Sequence, residues 1–154
     1  MQLLSTDSEI IEILRRIRVP LARFAIFFVF FYFGVLKVVG ASPANPLVEE
    51  LLGKTLPFLE FQQFIALFGA FEMLIGLLFL LPGMERLAIG LLFPHMATTV
   101  LPLIVLPEIS WHSFLVPTLE GQYILKNIVI VALAVAIGAD LAPWSKNRSK
   151  RQEK

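Results

Sequence analysis

Four ionisable side chains lie inside long apolar stretches of this 154-residue chain. Glu72 and His95 fall near the middle of their stretches, whereas Lys37 and Lys126 fall nearer the ends. A charged residue at the centre of a membrane helix costs roughly 2.5–3.5 kcal/mol, so such residues tend to face protein or water and to pair. We therefore predict that these four side chains share one polar site inside a helical bundle.

The residues around Glu72 predict that its helix face packs against protein. Gly69 precedes it by three positions and Gly76 follows it by four, which places all three on one helix face. Small residues at such positions allow another helix to approach closely. Two roles stay open for the carboxylate: a structural ion pair with Lys37 or Lys126, or a part of a reactive site.

His95 lies in the segment FPHMATT, where proline and threonine loosen the helix. Pro94 removes a backbone hydrogen bond, and the hydroxyls of Thr98 and Thr99 can satisfy carbonyls that are freed in this way. Such a position can hold a ligand or water beside the imidazole. The alternative is a histidine that only bonds to Glu72 or to a threonine. A proton-handling pair, a contact with a quinone and ligation of haem by His95 all fit this pattern.

The two lysines have a simpler alternative. Lys37 and Lys126 are close enough to the ends of their stretches for the ammonium groups to reach the membrane surface. Asn127 adds a hydrogen-bonding amide beside Lys126. These three residues join the list of candidates for ligand binding or proton handling.

The composition excludes most soluble and thiol-dependent classes of protein. The chain is 57% hydrophobic and 16% charged, whereas soluble domains are near half apolar and a quarter charged. It has no cysteine, which excludes thiolate nucleophiles and cysteine-ligated metal centres in this chain. The two histidines, His95 and His112, cannot alone form a closed zinc site, and we predict no metal site.

Four stretches are long enough to cross a bilayer, which needs about 20 apolar residues as helix. The chain should therefore be an all-α integral membrane four-helix bundle. A short amphipathic cytoplasmic helix (1–19) should precede it, and a basic cytoplasmic tail (140–154) should follow it. The predicted spans within 20–139 are 20–39, 63–81, 87–106 and 123–139.

The lysines and arginines predict the orientation. They concentrate before the first span, in the turn between the second and third spans, and in the tail. Positively charged loops stay in the cytoplasm, so both termini should lie there, most simply at a bacterial inner membrane. The basic tail is explained by topology and anionic lipid, so we expect the bilayer as partner and no nucleic acid.

Two segments carry a family resemblance. FGVLKVVG in the first span and FEMLIGLLFLLPG in the second resemble those of the DoxX-like (DoxX/DoxD-related) small four-span membrane proteins. The resemblance implies a compact bundle in which Lys37, Glu72 and His95 are the site positions. Some relatives are membrane parts of quinone-linked sulfur oxidoreductases, and others associate with stress-response or redox partners.

Three functions remain open at this stage. The first is a bundle that binds a quinone or another small amphipathic ligand at a buried polar site in its outer half and works with redox or respiratory partners. The second is a non-catalytic accessory subunit of a larger membrane complex or a homo-oligomer, in which Gly69 and Gly76 serve packing. The third is a small transporter or lipid-handling protein. We expect no stand-alone enzyme, because no nucleophile–base pair or metal-ligand set is visible.

Overall fold

A computed structural model describes residues 2–143, with side chains from residue 7 onward. This part of the chain is mostly helical, and four of its segments are long and apolar enough to cross a membrane. The coarse prediction, a helical chain with four such segments, is confirmed. Residues 144–154, which hold most of the predicted basic tail, lie outside the described residues. The four segments are Asp7–Val38, Phe61–Leu80, Glu85–Val105 and Leu119–Ala139.

Eight helices and one hairpin follow one another along the described residues. The third and fourth apolar segments are each made of two consecutive helices. The elements are α1 (Gln2–Val38), α2 (Asn45–Thr55), α3 (Phe61–Leu80), α4 (Glu85–Val100), α5 (Pro102–Val105), α6 (Pro107–Ser110), β1 (Trp111–Ser113), β2 (Val116–Pro117), α7 (Leu119–Lys126) and α8 (Ile128–Ala139).

The long helices pack in a closed ring. Helix α1 contacts α3 and α8, and α4 contacts the same two helices. Helix α2 and the antiparallel β1–β2 hairpin lie at one end, which we call the loop end; the short α3–α4 connection lies at the other, the turn end. The core between the helices consists of Ala22, Ile26, Phe30, Ile75, Leu78, Phe79, Ala88, Leu92, Met96, Ala134 and Ile137.

Helix α1 differs from the prediction because it does not end before the first span. We expected a separate amphipathic helix over 1–19, but α1 runs without a break through Pro20. A proline inside a helix removes one hydrogen bond, here the bond to the Arg16 carbonyl. Two residues before Pro20, the Arg18 Nη2 donates a hydrogen bond to Asp140 Oδ1 at 2.8 Å, and this contact holds α1 near the missing bond.

Glycines bring α1 and α3 into backbone contact. A Cβ added at Gly69 would lie 2.6 Å from the Gly34 carbonyl oxygen, and a Cβ added at Gly34 would lie 2.6 Å from the Gly69 oxygen. Further along, a Cβ at Gly76 would lie 3.1 Å from both the Phe27 oxygen and the Phe31 nitrogen. Residue numbers rise along α3 from Gly69 to Gly76, while the residues that they meet on α1 fall from Gly34 to the turn between Phe27 and Phe31. The two helices are therefore antiparallel.

Two side-chain hydrogen bonds, which we call the loop-end hydrogen bonds, hold the loop end together. The Ser110 hydroxyl donates to the Pro102 carbonyl at 2.9 Å, and the Thr118 hydroxyl donates to the Ile109 carbonyl at 2.6 Å. Thr118 also caps α7 by accepting a bond from the Gly121 amide at 3.1 Å. The loop-end hydrogen bonds fix α6 against α7, so the third and fourth apolar segments are joined at this end.

Candidate functional site

The structure brings together three of the predicted residues from three helices. Lys37 of α1 donates from Nζ to Glu72 Oε2 of α3 at 2.6 Å. The other carboxylate oxygen, Oε1, lies 3.3 Å from Nε2 of His95 on α4. The exposed fractions of the Lys37 and Glu72 side chains are 8% each, and that of His95 is 2%. We call this group the central cluster.

The central cluster depends on the glycine contact between α1 and α3. Lys37 follows Gly34 by three residues and Glu72 follows Gly69 by three, on antiparallel helices. A Cβ added at Gly69 would lie 2.8 Å from the Lys37 Cβ, so Glu72 is about one helical turn from the level of Lys37. Side chains in a helix tilt toward its N-terminus, so these two point back toward each other and meet at the level of the glycines.

The His95 imidazole is enclosed by aromatic rings and keeps one unused nitrogen. Its ring centroid lies 5.4 Å from that of Phe30, 5.0 Å from Phe68 and 5.9 Å from Phe71. Nδ1 is buried and has no hydrogen-bond partner. A buried polar atom without a partner costs free energy and calls for an explanation, such as a ligand or an ordered water.

Phe68 covers two members of the central cluster at once. Besides its contact with His95, its ring lies 5.7 Å from Lys37 Nζ, a cation–π arrangement. It also stacks on Phe64 at 5.5 Å. Phe68 is only half-buried, so it separates the cluster from the outer surface of the bundle.

The arrangement places a carboxylate between an ammonium group and an imidazole. Glu72 is the only acidic member and contacts both others, so the charges of Lys37 and Glu72 cancel while His95 is neutral. If His95 gains a proton, the neighbouring carboxylate stabilises the imidazolium, as in carboxylate–histidine pairs generally. The low exposure strengthens these interactions relative to water.

The hydroxyls of the two threonines donate to backbone carbonyls of α4. The Thr98 hydroxyl donates to the His95 carbonyl at 2.7 Å, and the Thr99 hydroxyl donates to the Met96 carbonyl at 2.9 Å. Both bonds return to the preceding turn of α4, so they shape the helix after Pro94 rather than present a polar group to the imidazole.

Lys126 and Asn127 lie apart from the cluster. Lys126 is exposed, and its Nζ lies 5.2 Å from the ring centroid of Tyr123 on the same helix. Asn127 is half-buried at the junction of α7 and α8. We predicted four ionisable groups in one site; the structure places three of them together and directs Lys126 outward.

Two contributors to the site were not among the predicted residues, Gly34 and Phe68. Their signal is an internal similarity: Phe33-Gly34 precedes Lys37 with the same spacing as Phe68-Gly69 precedes Glu72. This similarity is consistent with a relation between the two charges, but the sequence alone does not show that the glycines touch. Among the described residues, no group of three or more His, Asp or Glu side chains could hold a metal ion.

A second partly buried ion pair lies toward the turn end. Arg23 of α1 donates from Nε to the Phe79 carbonyl at 2.6 Å and from Nη1 to Glu85 Oε1 at 2.7 Å. Phe79 is in the last turn of α3 and Glu85 is in the first turn of α4, where a helix favours a donor and an anion respectively. We call this group of Arg23, Phe79 and Glu85 the arginine clamp. The sequence does not predict it, because Arg23 lies among the lysines and arginines that indicate the orientation of the chain.

Comparison with protein-family models, with curated proteins and with solved structures found no match to this chain.

Proposed function

We propose that this chain is an integral membrane protein that binds a small amphipathic ligand of the quinone class at the central cluster. In this proposal His95 exchanges a proton with the ligand, and redox or respiratory partners supply and remove electrons. The bundle lies in a bacterial inner membrane with both termini in the cytoplasm, in keeping with the lysine and arginine distribution.

Membrane insertion is supported by the outer surface of the bundle. Large apolar side chains are exposed on the spans, where water would be an unfavourable environment. Examples are Leu67 at 72%, Ile104 at 74% and Ile128 at 72% exposed. A lipid environment removes this cost, because hydrocarbon chains cover the same side chains.

The single observation that carries the ligand-binding proposal is the unpartnered Nδ1 of His95. The cluster is otherwise paired, since Lys37 and Glu72 contact each other and Glu72 contacts the imidazole. A purely structural histidine at this depth would be expected to use both nitrogens. The resemblance to the DoxX-like proteins points to the same three residues.

Each member of the cluster has a distinct part in the proposal. His95 presents Nδ1 to the ligand, and Glu72 orients the imidazole and stabilises its protonated form. Lys37 holds the Glu72 carboxylate in place through the bond of 2.6 Å. Phe68 keeps water out while no ligand is bound.

The test is to purify the protein with its native lipids and to identify what co-purifies. Mass spectrometry of the extract and the visible absorption spectrum are compared for the wild type, His95→Ala and His112→Ala. His112 is the matched control, because it is the second histidine and lies exposed in β1.

A bound quinone-class molecule in the wild type and in His112→Ala, absent from His95→Ala, supports the proposal. A Soret band that depends on His95 would instead identify haem. Lipid alone in all three proteins, with equal recovery of folded protein, contradicts the proposal.

A second candidate function, an accessory subunit of a membrane complex, is favoured by the hairpin tip. Phe114 is 91% exposed and Leu115 is 71% exposed. Leu115 has a φ of 59°, which normally suits glycine or asparagine, so an apolar side chain is kept there at some conformational cost. If this tip binds another chain, the substitution Leu115→Asn releases co-purifying proteins but leaves the ligand content of the bundle unchanged.

A further inference from the structure

The central cluster indicates which nitrogen of His95 carries the proton. Nε2 lies 3.3 Å from Glu72 Oε1, and an ionised carboxylate only accepts hydrogen bonds. A lone pair on Nε2 would face this oxygen with repulsion, so the proton of the neutral imidazole belongs on Nε2. Nδ1 then presents a lone pair.

The rest of the cluster offers no competing donor to Nδ1. The Lys37 ammonium is directed to Glu72 Oε2 at 2.6 Å, on the other side of the carboxylate. The Thr98 hydroxyl, on the same helix as His95, donates to a backbone carbonyl. What Nδ1 lacks is therefore a hydrogen-bond donor.

From this geometry we infer that the site takes its ligand in the hydroxyl form, as a hydroquinone or phenol rather than as the corresponding quinone. This inference rests on the proposed function and specifies its ligand. A ring hydroxyl donates to Nδ1 and satisfies it. A quinone carbonyl has no proton and would set its own lone pairs against that of Nδ1.

The aromatic surroundings favour a ligand whose hydroxyl is attached to a flat apolar ring. Phe30, Phe68 and Phe71 surround the imidazole, and Nδ1 is not accessible until one of these rings moves. Phe30 is 4% exposed, whereas Phe68 and Phe71 are half-buried. Phe68 also covers Lys37, so the ligand ring replaces the Phe68 ring beside both cluster members.

The proton step that follows is balanced without any electron transfer. The O–H bond of the ligand breaks, an N–H bond forms at Nδ1, and the electron pair of the O–H bond stays on the ligand oxygen. The resulting imidazolium is stabilised by Glu72 through Nε2. Removal of electrons from the ligand is the task of a redox partner and is not part of this inference.

The first experiment measures equilibrium binding in lipid nanodiscs with three probes. They are an alkyl hydroquinone kept reduced under anaerobic conditions, its dimethyl ether, and a long isoprenoid alcohol. The ether keeps the ring and tail but lacks the donor, and the alcohol keeps a donor but lacks the ring. The proteins are the wild type, His95→Phe and the matched control His112→Phe.

We expect the wild type and His112→Phe to bind the hydroquinone at least about tenfold more tightly than the ether. Tenfold corresponds to about 1.4 kcal/mol, within the range for leaving one buried polar group unpaired. In His95→Phe the two affinities should become equal. Preference for the isoprenoid alcohol over the hydroquinone would keep the hydroxyl but overturn the aromatic ligand.

A second measurement does not depend on a variant of the site. In ¹⁵N-histidine-labelled His112→Phe protein only His95 contributes, and NMR distinguishes a protonated ring nitrogen from a bare one. We expect a proton on Nε2 and none on Nδ1 in the ligand-free protein. A proton on Nδ1 overturns the inference.

The outcomes separate this inference from the proposed function. Equal wild-type affinity for hydroquinone and ether, with both weakened by His95→Phe, overturns the hydroxyl selectivity and leaves the ligand site in place. No binding of any probe, together with no native ligand in the purified protein, contradicts both.

Discussion

The central cluster is a buried ionic contact and the arginine clamp is a partly buried one, and both are built by α1, α3 and α4. They differ in whether a buried polar atom is left without a partner. In the clamp, Arg23 bonds both Glu85 and the free carbonyl of Phe79. In the central cluster, Nδ1 of His95 has no partner. Among the described residues, the only other buried side-chain atom of this kind is Asn45 Oδ1.

Under the proposed function, this difference separates a contact that serves the fold from one that takes up a ligand. The clamp joins the last turn of α3 to the first turn of α4, and none of its side-chain nitrogen or oxygen atoms is buried without a hydrogen-bond partner. The central cluster lies deeper, with side chains exposed by 8% or less, yet it retains an unused acceptor. Stability alone gives no reason to keep that acceptor, because an apolar side chain would avoid the cost.

The largest effect is expected from removing the shared carboxylate of the central cluster. Glu72→Leu leaves the Lys37 ammonium buried and unpaired, which should lower the free energy of unfolding by about 3–5 kcal/mol. The double variant Lys37→Met/Glu72→Leu removes both charges and should return to within about 1 kcal/mol of the wild type, but without ligand. Denaturant titration in detergent micelles measures the unfolding.

A double variant that is no more stable than Glu72→Leu would show that the pair itself stabilises the bundle. The cluster would then resemble the clamp, and the unused nitrogen would lose its significance as a mark of function.

The next largest effect is expected at the clamp. Arg23→Met removes two hydrogen bonds from a charged donor, at about 1.5 kcal/mol each, so the free energy of unfolding should fall by about 3 kcal/mol. Adding Glu85→Leu should recover only part of this loss, because the Phe79 carbonyl stays unpaired. The same titration measures both variants, and mass spectrometry follows the bound ligand.

Arg23→Met protein that remains folded should keep the wild-type amount of ligand. Loss of ligand to the extent seen in His95→Ala would contradict the distinction between the two regions.

Three of the four ionisable residues that the sequence predicted to share a site form the central cluster, and there is a physical reason why the sequence pointed to them. Charges within apolar runs are costly, so Glu72, His95 and Lys37 were conspicuous. Lys126 was equally conspicuous, but its direction was not predictable. The helix that follows it, α8, is apolar on every face, so no amphipathic pattern indicates which side is inward.

Outside the central cluster, the contacts between distant segments were the part that the sequence did not predict. The loop-end hydrogen bonds of Ser110 and Thr118 join side chains to backbone carbonyls, and most polar residues can make such bonds. The continuity of α1 through Pro20 depends on neighbours that hold the helix on either side. The glycines were predicted on α3, whereas their counterpart Gly34 on α1 was not.

A smaller effect is expected from the glycine contact that supports the central cluster. Gly69→Ala places a Cβ 2.6 Å from the Gly34 carbonyl oxygen, so the helices must move apart at a cost of about 1–3 kcal/mol. Gly90→Ala is the matched control on α4, because a Cβ there meets nothing within 4 Å. It should be neutral or slightly stabilising.

The separation of α1 and α3 should also lengthen the Lys37–Glu72 bond and reduce ligand content in Gly69→Ala but not in Gly90→Ala. Equal behaviour of the two alanine variants, in unfolding and in ligand content, would show that the close approach does not support the cluster.

The smallest effect is expected at the loop end, where Lys54 Nζ donates to Glu108 Oε1 at 2.6 Å in full contact with solvent. This hydrogen bond lowers the pKa of Glu108 below its ordinary value of 4.5. Because the pKa of Glu108 is lower in the folded protein than in the unfolded chain, the pair stabilises the fold at pH values above the ordinary pKa. This contribution disappears as the pH falls through the lower pKa of the folded protein. Glu108→Gln should therefore unfold slightly more easily than the wild type at pH 7, with the difference vanishing in strong acid, because exposed pairs contribute little.

A larger loss of unfolding free energy at pH 7, comparable with that of Arg23→Met, would mean that solvent exposure does not separate the strong ionic contacts of this bundle from the weak ones.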